Sequence, residues 1–218
     1  MGEPVSERAR SERTPVHSLE QGLEPLRAWF AREVDHVRVL GIVSSTCPMC
    51  VRGRRDGLEP LLAQSADFRM AWAFIDMLPT DTLDTATDSA HSAHDPRLHA
   101  FHDSRQLLGT AMARALGWTG HVAWDVYFVY PAGTRWTADD LPKPPFWFHQ
   151  LKDREAWKQT ATTEVGSEAW TECLSDKSEA DPAHFATGDA LRVARAGAVA
   201  RASRDLPEPA GAVAAPDP

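Results

Sequence analysis

The chain has 218 residues, 31 acidic against 23 Lys and Arg, and a formal net charge of −8. That balance disfavours a broad nucleic-acid surface, which needs a dense positive patch to displace counterions, and likewise binding to anionic lipid. Hydrophobic residues make up 43% and charged residues 25%, an ordinary globular composition with enough chain for one core.

No apolar stretch approaches the ~20 residues that span a bilayer. The opening "MGEPVSERARSERTPVHSLEQG" has no apolar segment of a secretory signal, so a cytoplasmic location is expected. The eight tryptophans point to a core or groove lined by large flat side chains.

Residues 1–17 are polar and charge-rich and are expected to be a disordered arm. Ser18 followed by Gln21 has the form of a capping box. Leu19, Leu23, Leu26, Phe30 and Val34 then share one helical face, which predicts a helix over 18–35. "VRVLGIVS" (37–44) is short, apolar and β-branched, as a strand buried on both faces should be. Pro48 opens a helix expected to run to about Ser65, with a break near Pro60. "RMAWAFIDML" (69–78) reads as a second buried strand.

The stretch 79–104 is acidic and rich in Thr, Ser and His, and reads as a long loop with a short helical turn. Helical periodicity resumes with Leu108, Met112, Ala115 and Leu116, and Gly117 supplies a stop. "HVAWDVYFVY" (121–130) is a strong strand signal. "PAG" (131–133) is a turn and "TRW" (134–136) the start of a partner strand. "LPKPP" (141–145) is extended, and 146–159 reads as a helix. From about Ser175 the chain becomes Asp-, Ala-, Arg- and Pro-rich. A weak helix over 189–202 lies within an otherwise largely disordered tail. The organisation is thus an arm (1–17), one domain (18–174) and a low-complexity tail (175–218).

Three cysteines are present, and Cys47 and Cys50 form a C-x-x-C pair, "CPMC", between a predicted strand and a predicted helix. An odd, small number argues against a disulfide framework. The pair has three readings: a redox couple, half of a metal site, or two small core residues. At a helix N-terminus, backbone N–H groups and the macrodipole favour a thiolate. Cys47 is then the attacking thiol, and Cys50, one turn on and deeper, the resolving thiol. Arg52, Arg54 and Arg55 either add positive potential or form a solvated helix face.

This order of elements around a CPMC pair resembles the thioredoxin-like superfamily across roughly 18–159, and the proline at Pro48 is similar to glutaredoxins. The region 101–136 looks like thiol-disulfide and peroxiredoxin-type relatives. The resemblance implies an α/β fold with a central mixed sheet flanked by helices, here carrying a long His/Asp-rich insertion loop and disordered termini. It also implies a thiol-disulfide oxidoreductase acting on a protein or small-thiol disulfide. Such an enzyme needs an external reductant and no bound cofactor, metal, nucleic acid or membrane.

Relatives usually carry a cis-proline before the strand that enters the final hairpin. Here Ala123, Trp124 or Asp125 occupies that place. Trp124 is therefore expected either over the pair, beside the substrate with Asp125 and Pro48, or as a core aromatic. Asp125 is expected as a proton acceptor or as a surface residue.

His91, His94, His99 and His102, with Asp95 and Asp103, have a spacing that could wrap zinc or copper, or line a solvated loop. A metal-binding or metal-delivery module using Cys47, Cys50 and these histidines is therefore the alternative function. A non-catalytic interaction protein using the aromatic run Phe146, Trp147 and Phe148 is a third. Cys173 is either a distant resolving thiol or incidental.

Overall fold

The computed structural model of the chain describes residues 14–58, 62, 67–93, 95–118, 122–137, 141–150 and 188–204. The elements are β1 (Val16–Ser18), α1 (Glu24–Arg32), β2 (Val37–Val43) and α2 (Pro48–Arg52), which continues as a π-helical turn over Gly53–Leu58. Then follow β3 (Phe68–Ile75), α3 (Leu83–His91), β4 (Leu98–Asp103), α4 (Leu107–Leu116), β5 (Val126–Tyr130), β6 (Phe146–His149) and α5 (Gly188–Arg204). The six strands make one mixed sheet in the order β1-β4-β3-β2-β5-β6. β1, β4, β3 and β2 pair in parallel, β5 runs antiparallel to β2, and β6 antiparallel to β5. Parallel neighbours need crossover connections, and the helices supply them. All seven residues of β2 are buried, as the apolar run predicts for a strand covered on both faces.

Alternation along the strands sorts side chains to two faces. On one face, Trp29 and Phe30 of α1 pack against Phe101 and Tyr130, with ring centroids 6.2 and 5.0 Å apart. α4 lies on this face too, with Gly109 close against Ile75. The other face carries α2, its π turn, α3 and α5. Arg54 of the π turn donates to the Ser89 carbonyl of α3 at 3.1 Å. Ala198, Val199 and Ala202 of α5 are buried, and the Arg201 guanidinium sits 5.1 Å over the Phe146 ring. The weak helix expected over 189–202 is therefore present as α5, packed on the sheet.

One charge lies inside the core. Arg38 of β2 is fully buried and donates to the carbonyls of Phe30, Pro131 and Thr134 at 2.7, 2.9 and 3.0 Å, with its guanidinium 4.0 Å over the Phe30 ring. Burial lowers its pKa to about 10. It fastens the end of α1 and the 131–134 turn to the end of the sheet opposite Cys47.

Several expectations are corrected. Residues 79–104 are not a long His/Asp-rich loop, since α3 and β4 lie within them. α3 is started by a reciprocal cap between Thr82 and Thr85, a Thr–Thr version of the usual Ser/Thr–Glu box. β4 is an interior strand whose alternation is disguised by His99 and His102. The first helix begins at Glu24, because Ser18 belongs to β1 and its Oγ accepts from the Glu20 N–H instead of capping a helix. Residues 146–149 are strand, pairing Phe148 with Tyr127 and Phe146 with Val129, so β6 and not "TRW" is the partner of β5. The second strand ends at Ile75, and β5 starts at Val126. Pro60 and residues 151–159 lie outside the described residues.

Candidate functional site at the CPMC turn

The parallel strands β2, β3 and β4 end on the same side of the sheet on which antiparallel β5 begins and β6 ends. In open α/β sheets this edge collects ligands, most often where neighbouring strands are reached in opposite directions. β2 is that strand here, with β3 on one side and β5 on the other, and the CPMC turn follows it directly.

Cys47 is the N-cap of α2 in extended conformation, and Pro48 takes the first helical position, where its missing N–H leaves nothing unpaired. Pro48 is exposed, whereas Cys47 is 1% and Cys50 0% exposed. Both are free thiols, and a hydrogen bond joins them. Cys47 Sγ takes no capping hydrogen bond from the first turn. Burial first, then the bond to Cys47 and the negative charge of Asp125, push the Cys50 thiol well up, against a weaker opposing bond from Ser44. Cys50 is therefore a neutral thiol at neutral pH.

Two carboxylates grip this turn from opposite sides. On the outer side, Asp81 Oδ1 accepts from Ser44 Oγ (2.8 Å), Ser45 Oγ (3.1 Å), Thr46 N–H (3.0 Å) and Thr46 Oγ1 (2.7 Å). Its Oδ2 accepts from the N–H groups of Met77 and Leu78 at 3.0 and 2.9 Å. Ser44 Oγ in turn accepts from the Cys47 N–H at 2.9 Å, so Asp81 reaches the cysteine through one hydroxyl. Thr46 and Thr80 hydroxyls, 2.7 Å apart, form a polar rim beside Cys47.

On the inner side, Asp125 is fully buried, with a left-handed backbone (φ 49°). A non-glycine residue there is uncommon and costly, and such residues gather at functional sites. Its Oδ1 accepts from Tyr127 Oη and from Gln150 Nε2, both at 2.8 Å. Gln150 Nε2 also lies 3.2 Å from the Met49 carbonyl, between the two cysteines.

Supporting residues aim these groups. Gly109 lets α4 approach so closely that its carbonyl accepts from the Ala123 N–H at 2.9 Å, which fixes the entry to β5. A Cβ at Gly109 would stand 2.5 Å from Ile75 Cδ1. Asp103, whose carboxyl is pushed up by burial, accepts from the N–H groups of Leu107, Leu108 and Gly109 and so caps α4.

The expected site residues are thus placed unevenly. Cys47, Cys50 and Asp125 come together. Trp124 is fully buried and offers no surface to a substrate in this state. The arginines diverge: Arg54 is buried and bound to α3, while Arg52 and Arg55 are exposed. The histidines do not converge either. His91 ends α3, and His99 and His102 point to opposite faces of β4, against Trp29 (5.9 Å) and Asp76 (2.8 Å) respectively. His94 and Cys173 lie outside the described residues, among which no group of three or more His, Cys, Asp or Glu side chains is arranged to hold a metal ion.

Asp81, Tyr127 and Gln150 escape a reading of the sequence: Asp81 reaches Ser44 across 37 residues and Gln150 reaches Met49 across 101, while Tyr127, two residues from Asp125, looks like any apolar strand position. The one usable signal is polar Gln150 following an unbroken aromatic run. Among the described residues no helix is long and apolar enough to cross a membrane. Comparison with protein-family models, with curated proteins and with solved structures gave no match.

Proposed function

We propose that this chain is a thiol-disulfide oxidoreductase of thioredoxin-like architecture, working in a reducing compartment such as the cytoplasm. The observation that carries the reading is the asymmetry of two adjacent free thiols at the end of the central strand. Cys47 caps the helix beside a polar rim, while Cys50 lies beneath it, protonated and next to a buried carboxylate. The sheet order supports the same reading. A central parallel strand ends in the cysteine pair and an antiparallel hairpin closes one side of the sheet, with α3 and β4 as a unit beside β3.

The chemistry balances without a bound cofactor. The Cys47 thiolate attacks one sulfur of a substrate disulfide, forming a mixed disulfide and expelling the other sulfur as a thiolate that takes up a proton. Cys50 then gives up its proton, attacks Cys47 Sγ and releases the second substrate thiol. The pair loses two electrons as its own disulfide forms, and an external dithiol donor restores it. With Cys47 only 1% exposed, the first step requires the CPMC turn to open toward the Thr46–Thr80 rim. This favours small disulfides, or a protein partner that induces the opening.

The test is turnover of glutathione disulfide and of insulin by the native chain and by Cys47→Ser and Cys50→Ser. Cys47→Ser is expected to lose activity by about a thousandfold or more, and Cys50→Ser to accumulate the mixed disulfide. Undiminished turnover in Cys47→Ser defeats the reading. Stoichiometric uptake of zinc or copper by the reduced chain, without turnover, favours metal delivery instead.

A further inference from the structure

Gln150 follows β6 directly, and its backbone N–H extends the hairpin by donating to the Asp125 carbonyl at 3.4 Å. Its side-chain nitrogen has three oxygen neighbours within 3.2 Å: Asp125 Oδ1, Tyr127 Oη and the Met49 carbonyl. It is 4% exposed. The fit against the helix is close, since a Cβ on Gly53 would stand 2.0 Å from Gln150 Nε2 and 2.4 Å from Tyr127 Oη. Gly53 is also where α2 widens into the π turn, a distortion often found at functional sites. Met49 and Gly53 bracket Cys50, and Gly53 lies one turn beyond it on the same helical face. The Asp125–Tyr127–Gln150 cluster therefore abuts the stretch of helix that carries the inner thiol.

We propose that Gln150 is a positioning residue of the thiol pair: its amide pins the Met49 carbonyl onto the buried Asp125 carboxylate and so holds Cys50 beside that charge. This rests on the oxidoreductase reading and adds a control to it. The inner thiol is held back as a neutral group until Cys47 has been engaged and the turn opens.

Among the described residues, the charged and polar groups near the pair are these. Acting on Cys50 are Cys47 on its own turn, Ser44 after β2 and Asp125 before β5. Arg54 of the π turn donates to the Ser89 carbonyl of α3 and to Ser92 just after it, Asp81 accepts from residues 44–46, 77 and 78, and Arg201 of α5 lies over Phe146. The upward displacement of the Cys50 thiol, to which the Asp125 charge contributes, has the sign this arrangement requires.

The experiment is the pH profile of Cys50 alkylation by iodoacetamide in a Cys47→Ser background, with and without Gln150→Met. Met keeps the volume of Gln and removes its donors. Equal thermal midpoints show that the fold is retained. Removing Gln150's donors is expected to speed alkylation roughly five- to tenfold near about pH 8, where little thiolate exists, with the gain shrinking as pH rises. Gln150→Glu, which places a second negative charge against Asp125, is expected to leave Cys50 at least as unreactive as in the parent. An unchanged profile, or an equal acceleration at every pH that reports only looser packing, overturns the proposal. The readout needs no turnover, so it separates failure of this role from failure of the oxidoreductase reading: Cys47→Ser with full turnover removes the latter alone.

Discussion

Asp81 and Asp125 hold the same turn from its two sides, yet they are built differently. Asp81 spreads six hydrogen bonds over both oxygens, three of them to backbone N–H groups, and ties the loop after β2 to the loop after β3. Asp125 takes side-chain donors on Oδ1, sits in left-handed backbone and acts through its charge on Cys50. A carboxylate satisfied by many donors is a structural brace. One held by side-chain donors next to a reactive group can tune that group. The difference separates what builds the turn from what sets its chemistry.

The contrast is most exposed to Asp81→Ala. Removing the brace leaves buried donors without acceptors, and a loss of about 3 kcal/mol or more is expected in urea unfolding, with the Thr46 rim loosened as well. Gly53→Ala comes next. Its methyl group must displace Gln150 and Tyr127, costing about 1–3 kcal/mol from overpacking, less the ~1 kcal/mol that Ala gains over Gly in a helix.

Asp125→Asn should move stability least, by about 1 kcal/mol at most, because Asn tolerates left-handed backbone and keeps an acceptor. Its effect belongs to Cys50 instead. In the folded chain the raised Cys50 thiol keeps a proton that the unfolded chain releases sooner. The resulting stability is full below the ordinary thiol range and is lost as pH rises toward the folded value. Asp125→Asn narrows that window, so its unfolding free energy should depend less on pH above about pH 8.5. If Asp125→Asn instead destabilised as much as Asp81→Ala and left Cys50 unchanged, the two carboxylates would be doing the same job and the distinction would dissolve.

What the sequence made legible was local. The apolar run 37–43, the Pro48 start of α2, and the Gly117 stop of α4, left-handed at φ 83°, all follow from neighbouring residues. Thr82 with Thr85 is a faint helix start, because Thr is a weaker signal than Glu at that place. β4 hides as a strand because His99 and His102 stand among its apolar residues. Residues 146–149 carry no clear period, since the consecutive Phe146, Trp147 and Phe148 fit a helix or a strand equally well. The site was half legible for the same reason. Cys47 and Cys50 announce themselves by spacing, whereas the bond from Gln150 to Met49 spans 101 residues and leaves no trace in any short window.

Gly41 has a reach beyond its own strand. A Cβ there would overlap the Trp72 indole at 2.3 Å, and that indole meets Tyr127 edge-on at 6.5 Å, whose hydroxyl holds Asp125. One added methyl in the middle of the sheet would therefore be transmitted, ring by ring, to the floor beneath the sulfurs. An engineer who wished to retune this protein's reactivity without touching its cysteines has an address for the attempt in its most enclosed layer.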